Sequence, residues 1–253
     1  MQKIIHERKT KYQNLSVVQD ESIRRLLFDT GLCKEQSAID IDCLEEHVCD
    51  YTYLLMYSLM FIPTISRVLI IGLGGGVVPR EISYYFPAVD IDIIEIDKDI
   101  IEVAQEYFFF KPTDKMNIYN DDAYYLVNDL QNKYDIIIMD AFNNSYIPFP
   151  LMTIQFIQKA ASLLSDKGVI AANLANWHPS FERQIKTYSE VFSNMYEMIG
   201  KYNDLTTVLY AGMNIDPSYD TGLQLEYYPV IEPHKVKITK EIENAKIFSL
   251  ENV

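Results

Sequence analysis

Residues 67–97, RVLIIGLGGGVVPREISYYFPAVDIDIIEID, decide the fold. The apolar run Val68 to Ile71 ends in Gly72-Leu73-Gly74-Gly75-Gly76. A helix-like segment follows, with Pro79 in its first turn, where a missing N–H costs little. A second apolar run, Ile91 to Ile96, carries Glu95 near its end. Strand, glycine turn, helix and strand in succession open a nucleotide-binding α/β sheet. The glycines permit a tight turn and close approach of backbone to a ligand. Glu95 lies 23 residues after Gly72, near the roughly 20 expected of a carboxylate that holds ribose hydroxyls. A dinucleotide fingerprint asks for a small residue where Val77 stands, so a dehydrogenase is the lesser reading.

The same alternation runs on through the chain. Helix is expected over Asp99–Tyr107, strand over Met116–Tyr119, helix over Ala123–Asn132 and strand over Tyr134–Met139. Further helices are expected over Leu151–Leu164 and Phe181–Met198, with strands at Val169–Leu174, Thr206–Gly212 and Leu223–Tyr228. Such a pattern implies an α/β fold, a mostly parallel sheet with helices on both faces. Ahead of it, residues 1–50 read as a small antiparallel β domain, and 51–253 as the nucleoside-binding domain. Leu44 to Phe61, free of Gly and Pro, reads as a buried helix stopped by Pro63.

Ligands of such sheets sit beyond the carboxyl ends of the strands. The glycine turn, Glu95, Asp122 and Asp140 all fall there. Asp122 suits the exocyclic amine of an adenine, or equally the cap of the next helix. Asp97 reads as a strand-end carboxylate in solvent. Asp140 ends a central strand, where burying a carboxylate is costly unless it has a use. The loop Ala141 to Pro150, with Tyr146 and Phe149, is placed to cover such a site.

Composition narrows the classes. Apolar residues make up 49% of the chain, enough for a sizeable core. No apolar run approaches the ~18 residues of a membrane span, and the polar N-terminus does not resemble a signal peptide. The three cysteines form no CxxC pair, so cytoplasm is the expected location. A net charge of −14 argues against nucleic acid and favours cationic ligands such as amines. No two of His6, His47, His178 and His234 have metal-ligand spacing, and no metal is expected.

YQNLSVV, QSAID, DYTYL, VLIIGLGGG, IIEID, NDDA, YDIIIMDAF and GVIAANLANW follow one another as in the spermidine synthase (polyamine aminopropyltransferase) family, which this chain resembles from about Lys9 to about Leu225. The resemblance implies a class I methyltransferase-like Rossmann domain behind an N-terminal β domain, and a homodimer. It implies that Gln13, Gly72, Gly74, Gly75, Gly76, Glu95 and Asp122 bind a sulfonium nucleoside. Asp140 would orient and deprotonate the attacking amine, and Tyr51 would be the substrate-side tyrosine. The chain also departs from the pattern. Gly75 stands where the family motif GGGDGG has an acid, Asn143 where it has a second acid after strand four, and Thr52 follows the tyrosine.

An acid at position 75 would repel the carboxylate of S-adenosylmethionine, and its loss removes that repulsion. The expected function is therefore an S-adenosylmethionine-type transferase acting on a small-molecule or peptide amine, with methyl transfer ahead of aminopropyl transfer from decarboxylated S-adenosylmethionine. A non-catalytic nucleoside-binding scaffold is the third reading.

Overall fold

The computed structural model describes residues 2–28, 35–62, 64–143, 147–199, 206–215 and 246–248. The strand expected at 223–228 and the residue Tyr146 lie outside them. Four strands come first: β1 (Lys3–Lys9), β2 (Asn14–Asp20), β3 (Ile23–Phe28) and β4 (Glu35–Asp40), an antiparallel sheet in that order. Next are α1 (Asp50–Met56) and a 3₁₀ turn over Tyr57–Phe61. The α/β part begins with β5 (Arg67–Ile71), α2 (Val77–Tyr85), β6 (Asp90–Ile94), α3 (Lys98–Tyr107) and β7 (Met116–Tyr119). It continues with α4 (Ala123–Leu126), β8 (Tyr134–Met139), α5 (Ile154–Ser162), β9 (Leu164–Ala175), α6 (Phe181–Ser189), β10 (Asn194–Ile199), β11 (Thr206–Gly212) and β12 (Lys246–Phe248).

These strands form one sheet in the order β12-β10-β11-β9-β8-β5-β6-β7. Pairing is parallel from β9 through β7 and antiparallel among β9, β11, β10 and β12. Strand order reverses between β5 and β8, the point where open α/β sheets leave a crevice. Alternation along the strands sends Ile70, Ile93 and Ile138 to one face, where they join Leu15, Val17, Leu26 and Ile39 of the N-terminal sheet in a single core. Leu69, Ile137 and Ile170 face the other way, under Ile157 of α5 and Ile185 of α6.

Four expected helices come out shorter, among them Leu151–Leu164, whose first residues form a 3₁₀ turn and whose last joins β9, leaving α5 over Ile154–Ser162. The one expected from Leu44 starts only at Asp50, because the preceding residues turn back on β4: Cys43 N–H donates to the Asp40 carbonyl, and His47 bridges to Ile39. The one expected to Asn132 ends at Leu126, where the Asn128 side chain donates to the Tyr124 and Tyr125 carbonyls and competes with the helical ladder. The segment Phe181–Met198 splits into α6 and the strand β10, which pairs along its whole length with β11. Tertiary pairing overrides local helical periodicity there.

The glycine turn is locked to its neighbours by backbone alone. Gly72 N–H donates to the Ile94 carbonyl and Asp140 N–H to the Ile71 carbonyl, at 2.9 and 2.8 Å. Gly72 has φ +96°, and a Cβ there would overlap the Asp140 carbonyl group, lying 2.7 Å from its carbon. Replacing Gly72 with Ala therefore imposes both a strained backbone and a clash. We expect a loss of about 2 kcal/mol or more, read as a lowered midpoint in denaturant unfolding; an unchanged midpoint would show that β8 gives way freely.

Candidate active site

A cavity of about 460 Å³ opens at the carboxyl ends of β5, β6 and β8. Gln13, Tyr51, Gly72, Gly74, Glu95, Asp122 and Asp140 all line it. Gly75 and Gly76 do not. The Gly75 N–H donates to Ser37 Oγ, and a Cβ at Gly75 would meet Ser37 and the Phe108 ring at 3.0 Å. A side chain at position 75 would start inside this packing, so its absence says little about the cavity's charge. That charge lies elsewhere on the wall. Glu35 and Asp50 join Glu95, Asp97, Asp121, Asp122 and Asp140, and among the described residues these seven carboxylates share the lining with no Lys, Arg or His.

Glu95 is 8% exposed and accepts from two backbone donors, Leu73 N–H and Asp97 N–H, each at 2.9 Å. It thus ties the glycine turn to the end of β6 while keeping further lone pairs for a ligand hydroxyl. Burial raises its pKa to about 7 against the opposing backbone hydrogen bonds. Asp97 is not a solvated strand end. It is 2% exposed, caps α3 through Asp99 N–H, and its other oxygen accepts from Thr10 Oγ1 at 2.6 Å and Gln13 Nε2 at 3.3 Å. The β1–β2 turn that carries Gln13 is thereby anchored to the nucleoside side of the cavity. Asp122 caps α4 through Tyr124 N–H, at 2.9 Å, and also lines the cavity.

Asp140 follows β8. Burial raises its pKa to about 7; the hydrogen bond from Asn173 Nδ2, 2.9 Å long, opposes that rise, and the Glu95 charge adds to it. Tyr51 donates its hydroxyl to the Gln36 carbonyl. Burial, then the nearby Asp140 charge, hold its pKa well above the ordinary tyrosine value, so it is a neutral hydrogen-bonding group. Trp177 and His178 are not on the cavity wall, and His178 bonds Ser180 instead. His47 sits in a buried pair with Glu81 at 2.8 Å. Phe149 is 62% exposed beneath Arg183, and Pro148, Pro150 and Leu151 supply that part of the wall.

Two residues that the linear reading left unassigned matter here. Asp97 was detectable as a helix cap, since it directly precedes the α3 pattern. Asn173, within an apolar strand, gave no signal beyond being a lone polar residue among alanines and leucine.

The raised Asp140 pKa has a stability consequence. The unfolded chain releases this proton near pH 3.8 while the native state keeps it to about 7. Stability therefore falls as pH rises through that window, and the full cost is present above it. Asp140→Asn removes the cost and still accepts from Asn173. We expect the variant to be more stable than wild type above pH 7 by roughly 1–3 kcal/mol, with the gap closing toward pH 4. Urea unfolding at both ends of the range tests this, and a gap that ignores pH would contradict it.

Fold and site together define an α/β protein with an acidic cavity at the carboxyl edge of its sheet. Residues 49–211 match the spermine/spermidine synthase domain, and the chain belongs to that family, whose members are transferases. The chain is 34% identical to a polyamine aminopropyltransferase of Vibrio vulnificus over 76% of its own length and 66% of that protein's. It is 25% identical to polyamine aminopropyltransferase 1 of Aquifex aeolicus, over 96% of this chain and 84% of the relative. A spermidine synthase solved with the transition-state analogue AdoDATO superposes with a TM-score of 0.75 at 20% identity, covering 95% of this chain and 88% of that one. The fold is the methyltransferase-like Rossmann fold of spermidine synthases. The preference for methyl transfer is corrected by these relatives, which are named for aminopropyl transfer. Membership of a family of transferases likewise displaces the scaffold reading.

Proposed function

We propose that this protein is a polyamine aminopropyltransferase that moves the aminopropyl group of decarboxylated S-adenosylmethionine onto an amine of a polyamine acceptor. The observation that carries the reading is the cavity wall, which among the described residues holds seven carboxylates and no cationic side chain. Both substrates of such a reaction are polycations. The intact cofactor would bring a carboxylate into this wall, so discrimination is spread over Glu35, Asp50 and their neighbours instead of residing at position 75. The family names in the relatives support the same reading.

In this reading the glycine turn from Gly72, with Glu95 at the ribose and Asp122 at the adenine edge, fixes the nucleoside. Gln13, held by Asp97, closes over it. The acceptor nitrogen attacks the aminopropyl carbon next to sulfur, the C–S bond breaks, and its electrons leave on methylthioadenosine. The nitrogen's surplus proton passes to Asp140. Alignment of nitrogen, carbon and sulfur supplies most of the rate. Tyr51, its proton held by the Gln36 carbonyl, offers its phenol oxygen as an acceptor to the N–H groups of the incoming amine. Residues 1–50 serve as the β unit that contributes Gln13 and Glu35 to the wall. We further infer a homodimer acting in the cytoplasm; among the described residues no helix is long and apolar enough to cross a membrane.

The test is turnover of purified protein with decarboxylated and with intact S-adenosylmethionine, each with putrescine. Methylthioadenosine is expected only from the decarboxylated form, and methylated amine from the intact form would overturn the reading. Asp140→Asn should lower kcat by roughly 10²–10⁴-fold. Because the base must be ionised, kcat/KM should rise with pH and level off above about 7; a profile flat from pH 5 to 9 would exclude Asp140 as that base.

A further inference from the structure

Asp140 has one polar side chain bonded to it in this structure, and that side chain is buried in the middle of the sheet. β8 and β9 run parallel with Met139 opposite Ala172, so the next residues along, Asp140 and Asn173, fall side by side. Asn173 is 3% exposed, flanked by the fully buried Ala172 and Leu174. Its Nδ2 donates to Asp140 Oδ1 at 2.9 Å, while its Oδ1 is buried with no hydrogen-bond partner. A buried acceptor left unpaired is costly, and an apolar side chain of similar shape would avoid the cost. The amide is therefore there for a reason other than stability.

Resting on the aminopropyltransferase reading, we infer that Asn173 is a positioning residue for the reaction. Its carboxamide follows Asp140 between two protonation states, donating from Nδ2 to the carboxylate and, after a half-turn, accepting at Oδ1 from the carboxylic acid. The reaction requires both states. Before attack Asp140 must be an anion; after attack it carries the proton that left the acceptor nitrogen, which it then returns to solvent. A carboxamide has a donor and an acceptor at nearly the same place and so suits either state without moving the backbone. Leucine offers neither, and a carboxylate offers only the acceptor. The orphan Oδ1 is then the half of the amide that waits for the protonated form.

Other groups act on Asp140 as well. Glu95 from the end of β6 and Tyr51 from α1 are its electrostatic neighbours. Glu35 on β4, Asp50 on α1 and Asp122 before α4 share the same cavity. All of these stay unchanged when Asn173 is varied. The hydrogen bond from Asn173 is also the influence that opposes burial at Asp140, which agrees with a preference for the anion in the resting state.

Two readouts on the full-length protein test the inference and the function separately. The first is direct titration of Asp140 by NMR of isotope-labelled aspartate carboxyls, with the resonance assigned by its loss in Asp140→Asn. In Asn173→Leu the midpoint should rise by about one pH unit, and Asn173→Gln should restore most of it. Asn173→Asp, close in size and less exposed to misfolding by shape, should raise it at least as far, since two carboxyls then share one proton. The second readout is the pH profile of kcat/KM with decarboxylated S-adenosylmethionine and putrescine. Its acid limb should move with the titration, with kcat down about tenfold in Asn173→Leu and KM for the nucleoside within twofold. An Asp140 midpoint unmoved in both Asn173→Leu and Asn173→Asp would overturn the inference, whatever the activity. A wild type that titrates as expected yet forms no methylthioadenosine would overturn the proposed reaction and leave the Asn173–Asp140 coupling standing.

Discussion

The close passage of the Gly72 backbone beside the Asp140 carbonyl group leaves no room for a Cβ. It exists because β5 and β8 are parallel neighbours at the point where strand order reverses, and both chains leave the sheet there in the same direction. Only a residue without a Cβ fits. With that fit, backbone hydrogen bonds join the ends of β6, β5 and β8 in a row, and the glycine turn is held at a fixed distance from the Asp140 carboxylate. The two halves of the cavity are thus set against each other by main chain, and side chains refine what the main chain has already placed.

On this scaffold the protein carries carboxylates where water is scarce. Glu95 and Asp140 are both shifted toward neutrality by burial. For Glu95 the protein compensates with backbone donors, for Asp140 with one side-chain amide. On the proposed reaction, that difference, rigid backbone against rotatable amide, would separate the binding carboxylate from the reacting one more clearly than their similar pKa values do.

Much of this was legible in the linear sequence, and the reason is locality. Gly72, Glu95 and Asp140 are each the first polar or flexible residue after an apolar run, Asp122 follows two more polar residues at the end of β7, and parallel topology brings such ends together. What stayed hidden depends on distant partners. The orientation of Gly75 is set by Ser37, 38 residues earlier. The anchoring of Gln13 depends on Asp97, 84 residues away. Asn173 meets Asp140 across 33 residues, and from sequence it is one more strand residue. β10 was read as helix because the amphipathic pattern of α6 runs into it, and only its neighbours β11 and β12 make it a strand. The preference for methyl transfer rested on one missing acid at position 75, and the relatives overturn it.

Seven acidic side chains around about 460 Å³, of which Glu35 is paired with Arg25 at 2.7 Å, give the cavity a negative field. Whatever cation enters acts first as a counter-ion, offsetting that field before any specific contact is formed. Occupancy then steadies the walls, and small inorganic cations compete for the same place. Affinity for a polycationic ligand should consequently weaken as ionic strength rises, most steeply for the ligand with most charges. The pocket selects by valence before it selects by shape.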